Sequence, residues 1–260
     1  MAAQVGEVTQ MAAGSAVVFQ GVTRLFLGED GTESGVRDLS FSVDEGEMVA
    51  IVGKTGCGKS TTLNLVLGLL GPAKGRVGVY GHDPYHDFDA LRGKISVVFQ
   101  GDRLLPWRTA VDNVCLGLEI LGRPLQERRR RAEEWLGRLG LQGYEKAYPH
   151  QLSGGMRQRV AIARAFAADP ELILADEAFS ALDELTANKL RSEFRNLVRS
   201  NKKTAIFVTH SIHEAITMAE RVLVFGAPGR VLREFSVIAD LTEEDASRLK
   251  HAIIESMHQL

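Results

Sequence analysis

The 260-residue chain is short of cysteine, of long apolar runs and of net charge, and each shortage removes a class of protein. Two cysteines cannot build a disulfide framework, and Cys57 lies inside a glycine-rich stretch where a crosslink would obstruct the backbone, so a reducing compartment is expected. No run of eighteen apolar residues occurs, which excludes an ordinary spanning helix and leaves membrane association to be made through another protein. A formal net charge of -2 gives no reason to expect a nucleic-acid partner. The basic run Arg128–Arg131 does not change that, because Glu127, Glu133 and Glu134 flank it on an amphipathic helix with a solvated face. The first residues lack a basic segment and place Glu7 ahead of any sustained apolar run, so no signal peptide is expected and residues 1–15 read as a loose tail.

With 45% hydrophobic residues the chain can fill a full core, as one large domain or one domain with a sizeable insert. Short alternating or apolar runs at "AVVFQGVTRLF", "LSFSVDEGEMVAIVG", "GRVGVYG" and "ISVVFQ" read as strands, the last ending at Gln100. A first helix is expected over Thr61–Leu69, ended by "GLLGPAKG". Between about residues 103 and 164 the periodicity becomes helical, and strands resume at "ELILADE", "TAIFVTH" and a final "RVLVFG". Strands alternating with helices predict an α/β fold with a largely parallel sheet and a helical lobe beside it. The last twenty residues read as a capped amphipathic helix.

Within that frame, "GKTGCGKST" (Gly53, Lys54, Thr55, Gly56, Cys57, Gly58, Lys59, Ser60, Thr61) sits between the strand "EMVAIV" and a run of helix formers. Strand, glycine-rich loop and helix in this order form a phosphate cradle, in which backbone N–H groups and a helix N-terminus meet an anion. Lys59 is placed to reach the β- and γ-phosphates, and Ser60 to offer its hydroxyl to a magnesium ion. The strand "LILADE" ends in Asp176 and Glu177, suited to supporting the metal and to orienting and deprotonating an attacking water. Gln100 ends its strand within reach of metal or water, and His210 ends another where it can hydrogen-bond a γ-phosphate or hold Glu177. Four polar residues at the ends of separate apolar strands make isolated surface positions a poor account of the group. In "LSGGMRQR", Ser153 reads as an N-cap and Gly154 and Gly155 permit close backbone approach, a second anion-facing helix start.

These motifs, in order along nearly the whole chain, resemble the nucleotide-binding subunit of an ABC transporter: "GKTGCGKS", Gln100, "LSGGMRQ", "LILADE", "SALD" (Ser180–Asp183) and His210. The resemblance implies a P-loop NTPase of ABC type, with a mostly parallel core sheet, an antiparallel β subdomain and an inserted helical subdomain. It implies an ATPase domain over residues 16–240, a helical subdomain at about 103–164 and a C-terminal helix at 241–260. ATP and Mg2+ are the implied cofactors, with a second ATP-binding subunit packed head to tail. Ser153, Gly154 and Gly155 would then close on the partner's ATP, Asp183 would contact the partner near its phosphate loop, and Phe26, or in its place Phe19, would stack on adenine. Two permease subunits would meet Gln100 and the following "GDRLLPWRTAVDNV", and the protein would be peripheral, on the cytoplasmic face of a bacterial inner membrane.

The segments "LLPWRTAVDNVCLGLEI", "YPHQLSGGMRQRVAIARA" and "VTHSIHEAI" closely resemble the ATPase subunits of nitrate-, sulfonate- and taurine-type importers, which work with a solute-binding protein. That family usually reads "DEPFGALD" where this chain reads "DEAFSALD", so Ala178 stands for proline and Ser180 for glycine. Neither change removes a residue of the phosphate or metal site, and retained ATP hydrolysis is expected. A two-chain exporter ATPase and a soluble non-transport ABC ATPase are the alternatives.

Overall fold

The computed structural model describes residues 14–28, 31–238 and 241–258. The expected tail over 1–15 therefore lies outside the described residues as far as residue 13, and Ser15 already belongs to a strand. Strands β1 (Ser15–Leu27), β2 (Glu33–Asp44) and β4 (Lys74–Val79) form an antiparallel sheet in the order β2-β1-β4. The second sheet has the order β5-β6-β7-β3-β8-β9, from β3 (Met48–Gly53), β5 (Ile95–Val98), β6 (Leu172–Asp176), β7 (Thr204–Thr209), β8 (Arg221–Gly226) and β9 (Arg230–Ser236). All its pairings are parallel except β8 with β9. Every residue of β3 and of β7 is buried, as expected of central parallel strands covered on both faces.

Three expectations need correction. Strand β9 has no counterpart among the expected strands, because its Arg230, Arg233 and Glu234 are exposed at the sheet's edge and break any apolar pattern. Strand β5 stops at Val98, so Gln100 lies in the loop two residues further on rather than at the strand end. The first helix, α1, spans Lys59–Val66 instead of Thr61–Leu69: Gly58 in left-handed geometry caps it directly, and Gly68 at φ 68° turns the chain away soon after its end.

Helices α2 (Ala110–Ile120), α3 (Leu125–Arg138) and α4 (Gly154–Ala167) pack together through Val114, Leu118, Ala132, Leu136 and Val160. Phe166 of α4 lies 5.0 Å from Trp135 of α3 and 5.9 Å from Phe194 of α5 (Glu184–Ser200), measured between ring centroids. Helix α4 thus belongs to the helical part and to the sheet's core together. The arginine run of α3 is balanced, with Arg131 3.3 Å from Glu127, Arg130 3.6 Å from Glu134 and Arg128 3.6 Å from Glu119 of α2. Helix α6 (Ile212–Met218) follows β7, and α7 (Glu243–His258) is capped by Thr242, whose Oγ1 accepts from the Asp245 amide at 3.1 Å. Because β3, β5, β6 and β7 run parallel, their carboxyl ends share one edge, and the loops beginning at 54, 99, 177 and 210 are neighbours.

Candidate functional site

The loop after β3 is shaped by glycines, two of which, Gly53 and Gly58, leave no room for a Cβ. Gly56 has φ 82° and Gly58 φ 95°. A Cβ on Gly58 would stand 2.4 Å from the Gly35 carbonyl oxygen, and one on Gly53 would stand 2.5 Å from Cys57 Sγ and 2.7 Å from the Phe225 oxygen. Gly58 supplies no capping side chain, so the first N–H groups of α1 are left for an external acceptor. Lys59, only 8% exposed, donates from Nζ to the carbonyls of Gly53 at 2.7 Å and Lys54 at 3.1 Å, so the loop itself holds the ammonium. Cys57 is a packing residue: burial pushes its thiol up despite the nearby Lys59 charge.

A cleft of about 190 Å3 opens over this loop, lined by Thr55, Gly56, Gly58, Lys59, Ser60 and Thr61, by Glu177 across from them, and by Ser34 and Gly35 of β2. Sequence reasoning missed the last two because they follow a charged turn with no motif of its own. Phe26 pairs with Ser34 across the β1–β2 ladder, one strand from the cleft wall, and is 37% exposed with the Arg24 guanidinium 5.4 Å from its ring centroid. Phe19 is 2% exposed and stacked on Phe41 at 4.6 Å, so it is core and is removed as the alternative ring for adenine.

Asp176 closes β6, and burial, followed by the charge of Glu177, raises its pKa above the ordinary range against the pull of Arg103 and Lys59. Glu177 adopts φ 45°, a left-handed conformation that costs a non-glycine residue on the order of 1 kcal/mol or more. Its amide donates to the Val208 carbonyl at 3.0 Å, which fixes that turn to β7. His210 Nδ1 lies 3.6 Å from Glu177 Oε1, within ion-pair range and beyond a good hydrogen bond.

The turn bearing His210 rests on a buried carboxyl that sequence reasoning passed over. Thr209 Oγ1 donates to Glu214 Oε2 at 2.9 Å, and the Ser211 amide donates back to Thr209 Oγ1 at 3.0 Å. Burial raises the Glu214 pKa, so the folded chain holds this proton more tightly than the unfolded one. Stability from this group therefore falls as pH rises above about 4.3 toward the raised folded value. Glu214→Gln keeps an acceptor for Thr209, and its melting temperature is expected to decline less than the native one over that rise, as calorimetry at several pH values would show.

Helix α4 grips the loop that carries Gln100. Buried Gln158 donates from Nε2 to the carbonyls of Ala178 at 2.7 Å and Phe99 at 3.3 Å. Arg157 Nε meets Asp102 Oδ2 at 2.8 Å, and Arg164 donates to the carbonyls of Asp102 and Arg103, each at 2.8 Å. Gln100 Nε2 donates to Ser180 Oγ at 3.3 Å, and Ser180 Oγ donates to the Glu177 carbonyl at 2.9 Å. Ala178 is buried, and its backbone carbonyl is the one Gln158 holds.

Ser153 caps α4, its Oγ accepting from the Met156 amide at 3.3 Å. Gly155 is tight against α5, since a Cβ there would lie 2.9 Å from Thr186 Cγ2. Asp183 caps α5, accepting from the Thr186 amide at 3.0 Å, and these bonds hold its carboxyl below the usual range. None of Ser153, Gly154, Gly155 or Asp183 lines the cleft over the phosphate loop. Ser153→Ala is expected to cost about 1 kcal/mol as a lost cap, read as a lower denaturant midpoint.

A glycine loop capping a helix, with an acidic strand end across the cleft on a parallel sheet, defines a P-loop nucleotide-binding domain. Residues 36–180, more than half of the chain, match the family described as ABC transporter. The taurine import ATP-binding protein TauB of Rhizobium johnstonii is 44% identical over 200 residues, 76% of this chain and 75% of its own. An uncharacterized ABC transporter ATP-binding protein, MJ0412 of Methanocaldococcus jannaschii, is 43% identical over 213 residues, 82% of this chain and 78% of its own. The dimeric post-hydrolysis structure of the ATP-binding cassette MJ0796 with ADP and Pi superposes with a TM-score of 0.75 at 37% identity, over 86% of this chain and 99% of that one. The chain belongs to the ABC transporter family; it is an ATP-binding subunit and an ABC-type ATPase. Among the described residues no helix is long and apolar enough to cross a membrane.

Proposed function

We propose that the chain powers uptake of a small organic or inorganic anion, such as a sulfonate, taurine or nitrate, as the ATPase subunit of an importer. The likeness to taurine import ATP-binding proteins carries this reading. The loop "LLPWRT" supports it, because buried Asn113 holds that loop through Leu105, Arg108 and Thr109 while Trp107 stays 71% exposed, suited to a permease helix. The ATPase domain spans residues 16–240, with the helical subdomain at about 103–164 and a C-terminal segment from 241 whose described residues carry helix α7 (Glu243–His258).

In this reading the triphosphate takes the α1 N–H groups and draws Lys59 Nζ from the loop carbonyls onto the β- and γ-phosphates. Ser60 and Asp176, with Gln100, are oxygen donors of the kind Mg2+ takes beside phosphate oxygens, where the ion offsets charge developing on the γ-phosphate. Among the described residues no group of three or more His, Cys, Asp or Glu could hold a metal. Glu177 accepts the proton of the attacking water, His210 steadies Glu177 and the γ-phosphate, and Phe26 stacks on adenine. Ser153, Gly154 and Gly155 sit away from the cleft of their own chain, which fits a head-to-tail pair in which they close on the partner's ATP and Asp183 meets the partner's phosphate loop. Two permease subunits hold the pair peripherally at the cytoplasmic face of a bacterial inner membrane, and a solute-binding protein delivers the cargo.

The test is magnesium-dependent ATP hydrolysis by the complex purified with its permease, with candidate anions and their binding protein added or withheld. Turnover is expected to rise with one loaded binding protein. Strong hydrolysis by the isolated chain, indifferent to any membrane partner, would instead make it a soluble ABC ATPase.

A further inference from the structure

We infer that Ser180 is a positioning residue that turns the Gln100 side chain so that its amide oxygen is the end left for the metal. The inference deepens the reading above, on which it rests. A serine hydroxyl has one proton to donate and lone pairs to accept with. Ser180 spends that proton on the Glu177 carbonyl at 2.9 Å, so toward Gln100 its Oγ is an acceptor only. The group facing it at 3.3 Å must then be the amide NH2 of Gln100, as the geometry has it. With Nε2 committed, Oε1 is the free end, and oxygen is the atom a hard divalent cation accepts. An unconstrained glutamine would present nitrogen and oxygen in turn.

The same hydroxyl also joins two parts of the site. The Glu177 carbonyl accepts from both the amide and the hydroxyl of Ser180, at 3.2 and 2.9 Å, which ties down the turn that starts in the left-handed conformation of Glu177. Gln100 and Glu177 are thereby linked through one side chain. The glycine usual at this position in similar importers has no hydroxyl and could make neither side-chain bond. Ser180 itself is not held by the fold for its size: it is exposed and its backbone is not in the left-handed region, so changes there are tolerated structurally.

Equilibrium ATP binding by the full chain carrying Glu177→Gln, titrated with Mg2+ at fixed nucleotide, reads this directly and needs no turnover. Ser180→Ala is expected to raise the half-saturating Mg2+ concentration roughly threefold to tenfold, the worth of about one hydrogen bond, with ATP affinity in EDTA unchanged. Ser180→Thr keeps the hydroxyl and is expected to behave as native. In a Gln100→Ala background, Ser180→Ala should add little to the Mg2+ requirement, since the contact the two side chains share is already gone and the bond still lost, to the Glu177 carbonyl, touches none of the residues proposed to hold the metal. The same Mg2+ dependence with and without the Ser180→Ala substitution would overturn the assignment, as would effects of the Ser180 and Gln100 substitutions that simply multiply. If ATP binding by the chain with Ser180 intact ignores Mg2+ and Asp176→Asn leaves it unaltered, the metal reading itself fails and takes this inference with it.

Discussion

Replacing Glu177 by glutamine lowers ATP turnover by about a hundredfold to ten-thousandfold and leaves nucleotide binding intact. Glutamine keeps the size and polarity of the side chain but has no basic oxygen for a proton of water. The backbone bonds from the Glu177 amide to Val208 and from Ser180 to its carbonyl do not involve the side chain, so the turn persists. A second consequence is electrostatic: burial first and the charge of Glu177 second raise the Asp176 pKa, so removing that charge leaves Asp176 at least as readily ionised in the variant. ATP should therefore stay bound and unhydrolysed, and light scattering is expected to show a larger species with ATP than with ADP. Phosphate release within threefold of native, roughly 0.7 kcal/mol of barrier, would assign proton abstraction to another group, with His210 the nearest candidate.

Gly58→Ala is the second large effect, and it acts on binding. A side chain at φ 95° is strained by about 1 kcal/mol or more, and here its Cβ would also stand 2.4 Å from the Gly35 oxygen and 3.0 Å from Gly229 Cα. Both are backbone atoms, held together by the Gly229 amide donating to the Gly35 oxygen at 2.8 Å, so neither can yield alone. Relief must come from moving the loop, which takes the α1 N-terminus away from the phosphates. ATP affinity is expected to fall by about a hundredfold or more, near 3 kcal/mol, in calorimetric titration. Gly56→Ala is the control: φ is 82°, but its Cβ meets nothing within 4 Å, so strain alone applies and the loss should be much smaller. Equal losses at the two positions would show that φ matters and the Gly35 contact does not.

Much of the site could be read from the chain because its chemistry is local. Gly53 to Thr61 runs from the end of a strand through one short loop into the first turn of a helix, so residue spacing alone specifies which atoms meet. Apolar strands leading to Asp176 and, one residue past their ends, to Glu177 and His210 announce themselves in the same way, since the end of a parallel strand is where an α/β sheet meets its ligand. The helix cap at Ser153 is also short-range, its acceptor lying three residues before the donor.

What could not be read depends on residues far apart in the chain. Phe19 and Phe26 are both aromatic members of β1, and strand alternation cannot sort them because register shifts between Phe19 and Arg24 change which face each residue occupies. Ser34 and Gly35 become cleft walls only because β2 lies against the α1 cap. Gln158 looks like one more polar residue in a helix, yet it joins carbonyls 59 and 20 residues away. The sequence by itself determined the phosphate loop, the acidic strand end and the alternation of strands and helices, because each rests on contacts within a few residues. Only the tertiary structure decided which aromatic faces solvent, how Ser180 and Gln158 bind Gln100's loop to Glu177, and where β9 pairs, because those contacts exist only once distant segments have packed.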